Sequence, residues 1–310
     1  MFNSAYHDVF APGRLTLGLF FAIESYAGAV PTMAHQLDLA RRADELGFAA
    51  LWVRDVPLLD LGFGDAGQVY DPYVWLGQVS AVTRRIALGT AGLVLPLRHP
   101  LHVAKALASV DTLTRGRMIA GLSTGDRHVE YPLFGRDFEA RGESFRQGLL
   151  DVRKTLGGGL PGVAPGQGSL PGVQPLPTAR YGRIPLLSIG SSQQSLQWLA
   201  THADGWVTYP RPLAQQQAVS AAWRAALAEA QGGAFKPFAQ SLYIDLVAEP
   251  SAERTPVHLG YRLGRDALLR LLDELRSMGV SHVLLNLKYG RRPAAEVVEE
   301  LGEHVVPSFS

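Results

Sequence analysis

Two segments of the chain are rich in the hydroxyl groups, glycines and charges that can bind an anion. The segment GSSQQS supplies Gly190, Ser191, Ser192 and Ser195. It directly precedes a predicted helix, whose free N–H groups and dipole favour phosphate, although an ordinary serine N-cap is the alternative interpretation. The segment STGDR (123–127) and Arg141 could converge on the same place. Together these residues predict a phosphate site.

An interrupted apolar run marks a second candidate site. The run IALGTAGLVLPLRHP (86–100) begins as a buried strand but carries Thr90, Ala91 and Gly92 in its middle. Glycine inside a strand usually marks a bulge or a close approach of the backbone to another group. We therefore expect a bulge here, either alone or as a support for a bound ligand.

Several other kinds of chemistry lack the residues they need. The chain has no cysteine, which excludes disulfides, thiolate nucleophiles and cysteine metal ligands. His99 and His102 have no carboxylate spaced with them, and the sequence contains no nucleophile elbow of a serine hydrolase. We predict no metal site.

Charge and hydropathy restrict the function further. Lys and Arg total 29 against 28 Asp and Glu, so the formal net charge of +1 offers no footprint for nucleic acid or an anionic membrane. No apolar stretch approaches the length of a membrane span, and residues 1–15 lack the pattern of a secretory signal. We expect a cytoplasmic protein that binds neither nucleic acid nor membranes.

The elements that must position these residues alternate along the whole chain. Eight strand-like apolar runs are separated by helical patterns, and they lie at about 15–21, 49–53, 85–90, 117–123, 184–190, 205–209, 241–249 and 281–287. This alternation predicts an α/β fold, a (β/α)8 TIM barrel that forms a single domain over 1–310. A Gly/Pro-rich insertion is predicted at about 157–180.

A barrel of this kind carries its active site at the C-terminal ends of the strands. Asp55 follows the second predicted strand, and Ser123 ends the fourth. A long loop, 249–266, follows the seventh strand and contains His258, Tyr261 and Arg262. We predict that this loop is a lid that contacts the substrate, the alternative being that Tyr261 only packs on the next helix.

Long segments of the chain resemble the bacterial luciferase-like flavin-dependent monooxygenase family. They are RADELGFAALWVRD (42–55), the run from TRRIALG to STGD (83–126), LFGRDFEARGESF (133–145) and GSSQQSLQWLATHADGWV (190–207). LWVRDVPL, LPLRHP and HLGYRLGRDALL are similar to a luciferase-type oxidoreductase subgroup of that family. The resemblance covers essentially the whole length and implies the same barrel fold.

The resemblance also implies a flavin site. It assigns cofactor binding to Thr90, Ala91, Gly92, Ser123, Thr124, Gly125, Asp126, Arg141, Gly190, Ser191, Ser192 and Ser195. In the family a bulge with a non-prolyl cis peptide supports the flavin ring, and the matching bond here is Ala91–Gly92. The serines and Arg141 match phosphate-binding positions, Thr124 and Asp126 lie along the ribityl chain, and Ser123 matches the position beside the reactive edge of the flavin.

One departure from the family concerns the catalytic residue. Luciferase has a histidine just after its second strand, where this chain reads Asp55-Val56-Pro57. We therefore expect no light emission from a long-chain aldehyde. Asp55 is the nearest candidate for a base; alternatively it is a structural partner for Arg54 or for a loop amide.

The function that the resemblance implies is an FMN-dependent oxidoreductase. We interpret it as a monooxygenase that uses O2 and reduced flavin from a separate flavin reductase to oxidise a small organic molecule, and that forms a homodimer. One alternative is a deazaflavin-coenzyme-dependent oxidoreductase that transfers hydride. Another is a flavin-binding protein without catalysis.

Overall fold

Eight parallel strands form the centre of the structure. The computed structural model describes residues 1–64, 66–161, 172–231 and 234–309. The barrel strands are β1 (Thr16–Phe20), β2 (Ala50–Val53), β3 (Ala87–Thr90), β4 (Met118–Ser123), β5 (Leu186–Ile189), β6 (Gly205–Thr208), β7 (Phe238–Leu246) and β8 (His282–Asn286). Each pairs with its neighbours in chain order, and β8 pairs with both β7 and β1. This closure confirms the predicted TIM barrel.

The strands are apolar because both of their faces are buried. In β1 and β2, for example, every residue is buried. One hydrophobic cluster lies between the strands and the surrounding helices, and a smaller one fills the inside of the barrel. Strands covered on both faces read as continuous apolar runs, which is why the sequence predicted them.

Helices surround the barrel on the outside. They are α1 (Ser4–Val9), α2 (Gln36–Glu45), α3 (Pro72–Val82), α4 (Pro100–Thr114), α5 (Glu130–Leu133), α6 (Arg141–Leu156), α7 (Leu196–His202), α8 (Leu213–Gln231), α9 (Arg265–Ser277) and α10 (Ala294–His304). Their ends follow from local sequence: His99 caps α4 ahead of Pro100, and the left-handed Arg115 and Gly116 end it. No helix in the described part of the chain is long and apolar enough to cross a membrane.

Hydrogen bonds inside the barrel join its first, second and last strands. The indole Nε1 of Trp52 donates to His282 Nε2 at 2.9 Å, and Thr16 Oγ1 lies 2.7 Å from His282 Nδ1. The Thr16 hydroxyl donates to Val9 O, so His282 Nδ1 carries the proton in this pair. Burial lowers the pKa of His282 to about 3, so the ring is neutral. Thr16, Trp52 and His282 thus fill the interior of the barrel, and all three side chains are buried.

Two regions differ from the sequence-based picture. The predicted loop 249–266 contains an antiparallel hairpin, Thr255–Val257 and Gly260–Leu263, whose second strand extends the sheet beside β7. Of the predicted insertion at 157–180, residues 162–171 lie outside the described part of the chain. The short helices α1 and α5 were not predicted.

Candidate functional site

Two adjoining cavities open across the C-terminal ends of the strands. The inner cavity, of about 270 Å³, lies over the barrel, and the rim cavity, of about 300 Å³, lies beside it. Both are lined by Arg54, Phe63, Ala91, Arg127, Ile189, Gly190 and Tyr209. Because these walls are shared, the two cavities lie side by side from the barrel mouth to its rim, and together they are called the groove.

The interrupted strand after β3 forms the floor between the two cavities. The Ala91–Gly92 peptide bond is cis, as predicted, and the Phe21–Ala22 bond, for which the sequence gave no signal, is cis as well. A Cβ at Gly92 would lie 2.7 Å from Ile189 Cγ1 and 3.1 Å from Ser123 Cβ. The glycine is therefore required because neighbouring strands approach the backbone closely at this point.

Most of the predicted phosphate-binding residues meet at the rim cavity. Arg141, Gly190, Ser191 and Ser192 line it together with Ser123, Thr124, Gly125 and Asp126. The Arg141 guanidinium lies 3.7 Å from the Phe138 ring centroid and donates to Phe138 O at 2.7 Å. Ser191 is exposed, whereas Ser192 is buried and its hydroxyl donates to Ile189 O. A cation and an accessible hydroxyl thus stand at one end of the groove.

Two predicted cofactor residues do not line either cavity. Ser195 caps α7 and its Oγ accepts from Trp198 N at 3.2 Å, so the ordinary N-cap interpretation holds for this serine. The Thr90 hydroxyl accepts from Gly121 N and donates to Gly121 O, which joins β3 to β4. Both side chains satisfy backbone groups instead of facing the groove.

Asp55 lines the rim cavity and has structural partners that the sequence did not identify. Its two carboxylate oxygens accept from Arg98 at 2.7 and 2.9 Å, and Oδ2 also accepts from Val94 N at 3.1 Å. The carboxylate is 3% exposed. Arg98, and not Arg54, is therefore the arginine that pairs with Asp55. Since Val94 follows Gly92 in the interrupted strand, Asp55 fixes the floor of the groove.

The rim cavity also contains a carboxyl group that sequence reasoning missed. Glu130, the first residue of α5, lines the cavity and is 2% exposed. Burial raises the pKa of Glu130 to about 7; Arg127 lowers it, while Asp55, Asp126 and Asp60 raise it further. Glu130 follows β4 in the segment STGDRHVE, but nothing in that sequence shows that this acidic side chain is buried.

Several aromatic side chains line the inner cavity, together with the cations Arg54, Arg127 and Lys288. Its wall includes Phe20, Phe63, Tyr209, Tyr243, His258 and Tyr289. Of the three predicted lid residues, only His258 lines it. Tyr261 packs against the outer core near Arg254, and Arg262 lies 3.8 Å from Asp245 in an ion pair. Tyr261 and Arg262 therefore line neither cavity in this structure, and their contact with a substrate stays a prediction.

A (β/α)8 barrel with a groove across the C-terminal ends of its strands defines a TIM-barrel protein with a candidate site at its mouth. The family model described as luciferase-like monooxygenase matches residues 14–256, and the chain belongs to this family. The family prediction made from the sequence is thereby confirmed, as is the prediction of an enzyme.

One relative is similar to about half of this chain. The alkanal monooxygenase alpha chain of Photorhabdus luminescens is 26% identical over 165 residues, which cover 53% of this chain and 44% of that relative. Thus the chain matches less than half the length of this relative.

Solved structures show that the fold is shared. Monooxygenase RslO1 from Streptomyces bottropensis has a TM-score of 0.74 at 20% identity and covers 95% of this chain and 100% of its own. The coenzyme F420 dependent tetrahydromethanopterin reductase from Methanopyrus kandleri has a TM-score of 0.73 at 16% identity, with 96% and 100% covered. At these identities the likeness concerns the fold alone.

Proposed function

We propose that the chain is an FMN-dependent monooxygenase that acts on a small organic substrate. The observation that supports this best is the groove, whose inner cavity has several aromatic side chains in its wall and whose rim cavity is lined by Arg141 and Ser191. FMN has the same division, since an apolar planar ring is joined through a polar chain to a phosphate. Membership of the luciferase-like monooxygenase family is consistent with the proposal.

The residues of the groove fit such a ligand. The close packing under Gly92 leaves bare backbone at the floor, against which a planar ring can lie. Thr124 and Asp126 would bind the polar chain, and Arg141 and Ser191 the phosphate. A charge-assisted bond from a guanidinium to a phosphate is among the stronger hydrogen bonds in proteins.

The protein's own contribution to the reaction is placement and the exclusion of water. When bound, reduced FMN supplies the electrons for oxygen activation. The aromatic side chains of Tyr243, His258 and Tyr289 pack against one another in the wall of the inner cavity, where an organic substrate would bind. We further propose that a separate flavin reductase delivers the reduced cofactor and that the protein is a homodimer.

Cofactor binding is tested by titration with FMN, riboflavin, FAD and a deazaflavin coenzyme, followed by absorbance and fluorescence. We expect FMN to bind more tightly than riboflavin, because riboflavin lacks the phosphate. Tight binding of the deazaflavin coenzyme with weak binding of FMN would instead favour the hydride-transferring alternative.

Variants at the rim test where the phosphate binds. Arg141→Gln, and Ser191→Ala combined with Ser192→Ala, should weaken FMN binding about 10- to 100-fold, as expected for lost hydrogen bonds to a charged group. Riboflavin binding should change little. Ser195→Ala is the matched control, because this hydroxyl caps α7 outside the groove. Equal losses for both ligands would refute the phosphate assignment.

Turnover is tested with a flavin reductase, NADH and a panel of organic compounds while oxygen consumption is recorded. Incorporation of labelled oxygen into a product would support the monooxygenase. Cofactor binding without any effect on oxygen consumption would favour the non-catalytic alternative. Light scattering at micromolar concentration tests the homodimer.

A further inference from the structure

Glu130 is a buried acid in the wall of the rim cavity to which the proposed function gives no role. The residue is 2% exposed, and its Oε1 accepts no hydrogen bond from any described residue. A buried polar atom without a partner is uncommon in native structures. Because the residue lines the groove, the group that satisfies it can come from a bound ligand.

Three carboxylates raise the pKa of Glu130. Asp55 and Asp126 line the same cavity, and Asp60 belongs to the segment after β2. Asp55 is already bound by Arg98 and Val94, so it does not donate to Glu130. These carboxylates oppose a negative charge on Glu130.

The nearby cations only partly offset this charge. Arg127 lowers the pKa of Glu130, but its guanidinium donates to Leu58 O and lies 4.9 Å from the Phe63 ring. Arg54 and Arg141 also line the rim cavity, and Arg141 donates to Phe138 O. Burial and the acidic neighbours together outweigh Arg127, because the pKa of Glu130 rises to about 7.

We propose that Glu130 is the proton-holding residue of the groove, so that its carboxyl becomes more fully protonated from solvent as the phosphate-bearing cofactor binds. The inference rests on the proposed function, because the cofactor brings the charge that drives the uptake. The proton forms an O–H bond on the Glu130 carboxyl, and the buffer acid that delivers it is left as its conjugate base.

The direction of the coupling follows from charge. A phosphate monoester carries a charge of about −1.5 to −2 at neutral pH. Placed in the same cavity, it disfavours ionised Glu130 and raises its pKa further. Protonated Glu130 is then the form that binds FMN better. For a pKa that rises from about 7 by about one unit, FMN affinity should fall about sixfold between pH 6.5 and 8.5.

Calorimetric titration of the chain with FMN tests the proposal at pH 8. The measurement is repeated in two buffers with different ionisation enthalpies, which gives the number of protons taken up for each FMN bound. We expect the native protein to take up about half a proton more for each FMN bound than Glu130→Gln takes up. FMN's own phosphate titrates in both proteins, so the difference between them isolates Glu130.

Glu139→Gln is the matched control, because it removes the same charge from an exposed position nearby. It should keep the native proton uptake and the native pH dependence. Native uptake at pH 8 that equals that of Glu130→Gln, or an absence of uptake in the native protein, overturns the proposal. The second result does not depend on the folding of any variant.

Two results distinguish a failure of FMN binding from a failure of the proposed role of Glu130. If FMN does not bind at any pH, the proposed function is refuted and the coupling with it. If FMN binds with equal affinity at pH 6.5 and 8.5 and without proton uptake, only the role of Glu130 is refuted.

Discussion

Replacing Arg98 by methionine should destabilise the barrel and weaken cofactor binding, although Arg98 lines neither cavity. Its guanidinium neutralises Asp55, whose carboxylate is 3% exposed, and Arg98 itself is 27% exposed. Removing one partner of a buried ion pair leaves an uncompensated charge, which typically costs about 3–5 kcal/mol. With an unfolding entropy of about 2.1 cal/mol/K per residue, this loss corresponds to a Tm lower by roughly 5–8 °C.

The assay is thermal and urea unfolding of four proteins, namely the native chain, Arg98→Met, Asp55→Asn and the double variant. In the double variant no charge is left buried, so its loss should be smaller than the sum of the two single losses. Arg41→Met is the control. Arg41 pairs with Asp38 at 2.9 Å, but both side chains are more than half exposed, so this change should cost less than about 1 kcal/mol.

The same variants separate a positioning role of Asp55 from a catalytic one. If Asp55 fixes the floor through Val94, then Arg98→Met and Asp55→Asn weaken FMN binding together. Strictly additive losses of stability, or an Arg98→Met variant as stable as the native protein, would refute the positioning role. A loss of turnover in Asp55→Asn with native stability and native FMN affinity would restore the interpretation of Asp55 as a base.

Three further outcomes are expected. The pKa of Glu130 in the folded protein, about 7, exceeds its usual 4.5. The folded protein therefore has its full stability below pH 4.5 and loses stability as pH rises through 7. At pH 8.5, Glu130→Gln should have a free energy of unfolding up to about 3 kcal/mol higher than the native protein, measured by urea unfolding. His258→Ala should spare FMN affinity but lower turnover or increase peroxide release, whereas Tyr261→Ala should lower the Tm and leave turnover per folded protein unchanged. Gly92→Ala should weaken FMN binding in a fluorescence titration, because the added Cβ meets Ile189 at 2.7 Å.

The sequence was sufficient for the barrel because its strands are buried on both faces. Runs such as 15–21 and 281–287 are apolar over several residues, and β1 and β8 lie inside these limits. The hairpin after β7 escaped prediction because its strands are only three and four residues long. Thr255–Val257, for example, contains a proline and is mostly exposed.

Much of the groove was also predictable, because polar residues directly after the ends of parallel strands must meet. Thr124 and Ser191 lie in the rim cavity for this reason. The pairing of Asp55 with Arg98 was not predictable, since 43 residues separate them and several arginines were equally available. Whether Glu130 is buried depends on how the short helix α5 packs, and no local pattern reports this.

The inner cavity is walled by both ends of the barrel sequence. Phe20 ends the first strand, whereas Asn286 ends the last and Tyr289 follows it. A ligand in this cavity contacts residues of both the first and the last strand, so it binds the closed barrel and stabilises that closure. A ligand at 100 times its dissociation constant adds about 2.7 kcal/mol to folding stability. The cellular abundance of this protein should therefore follow the supply of its ligand, because newly made chains without it open more often to proteases.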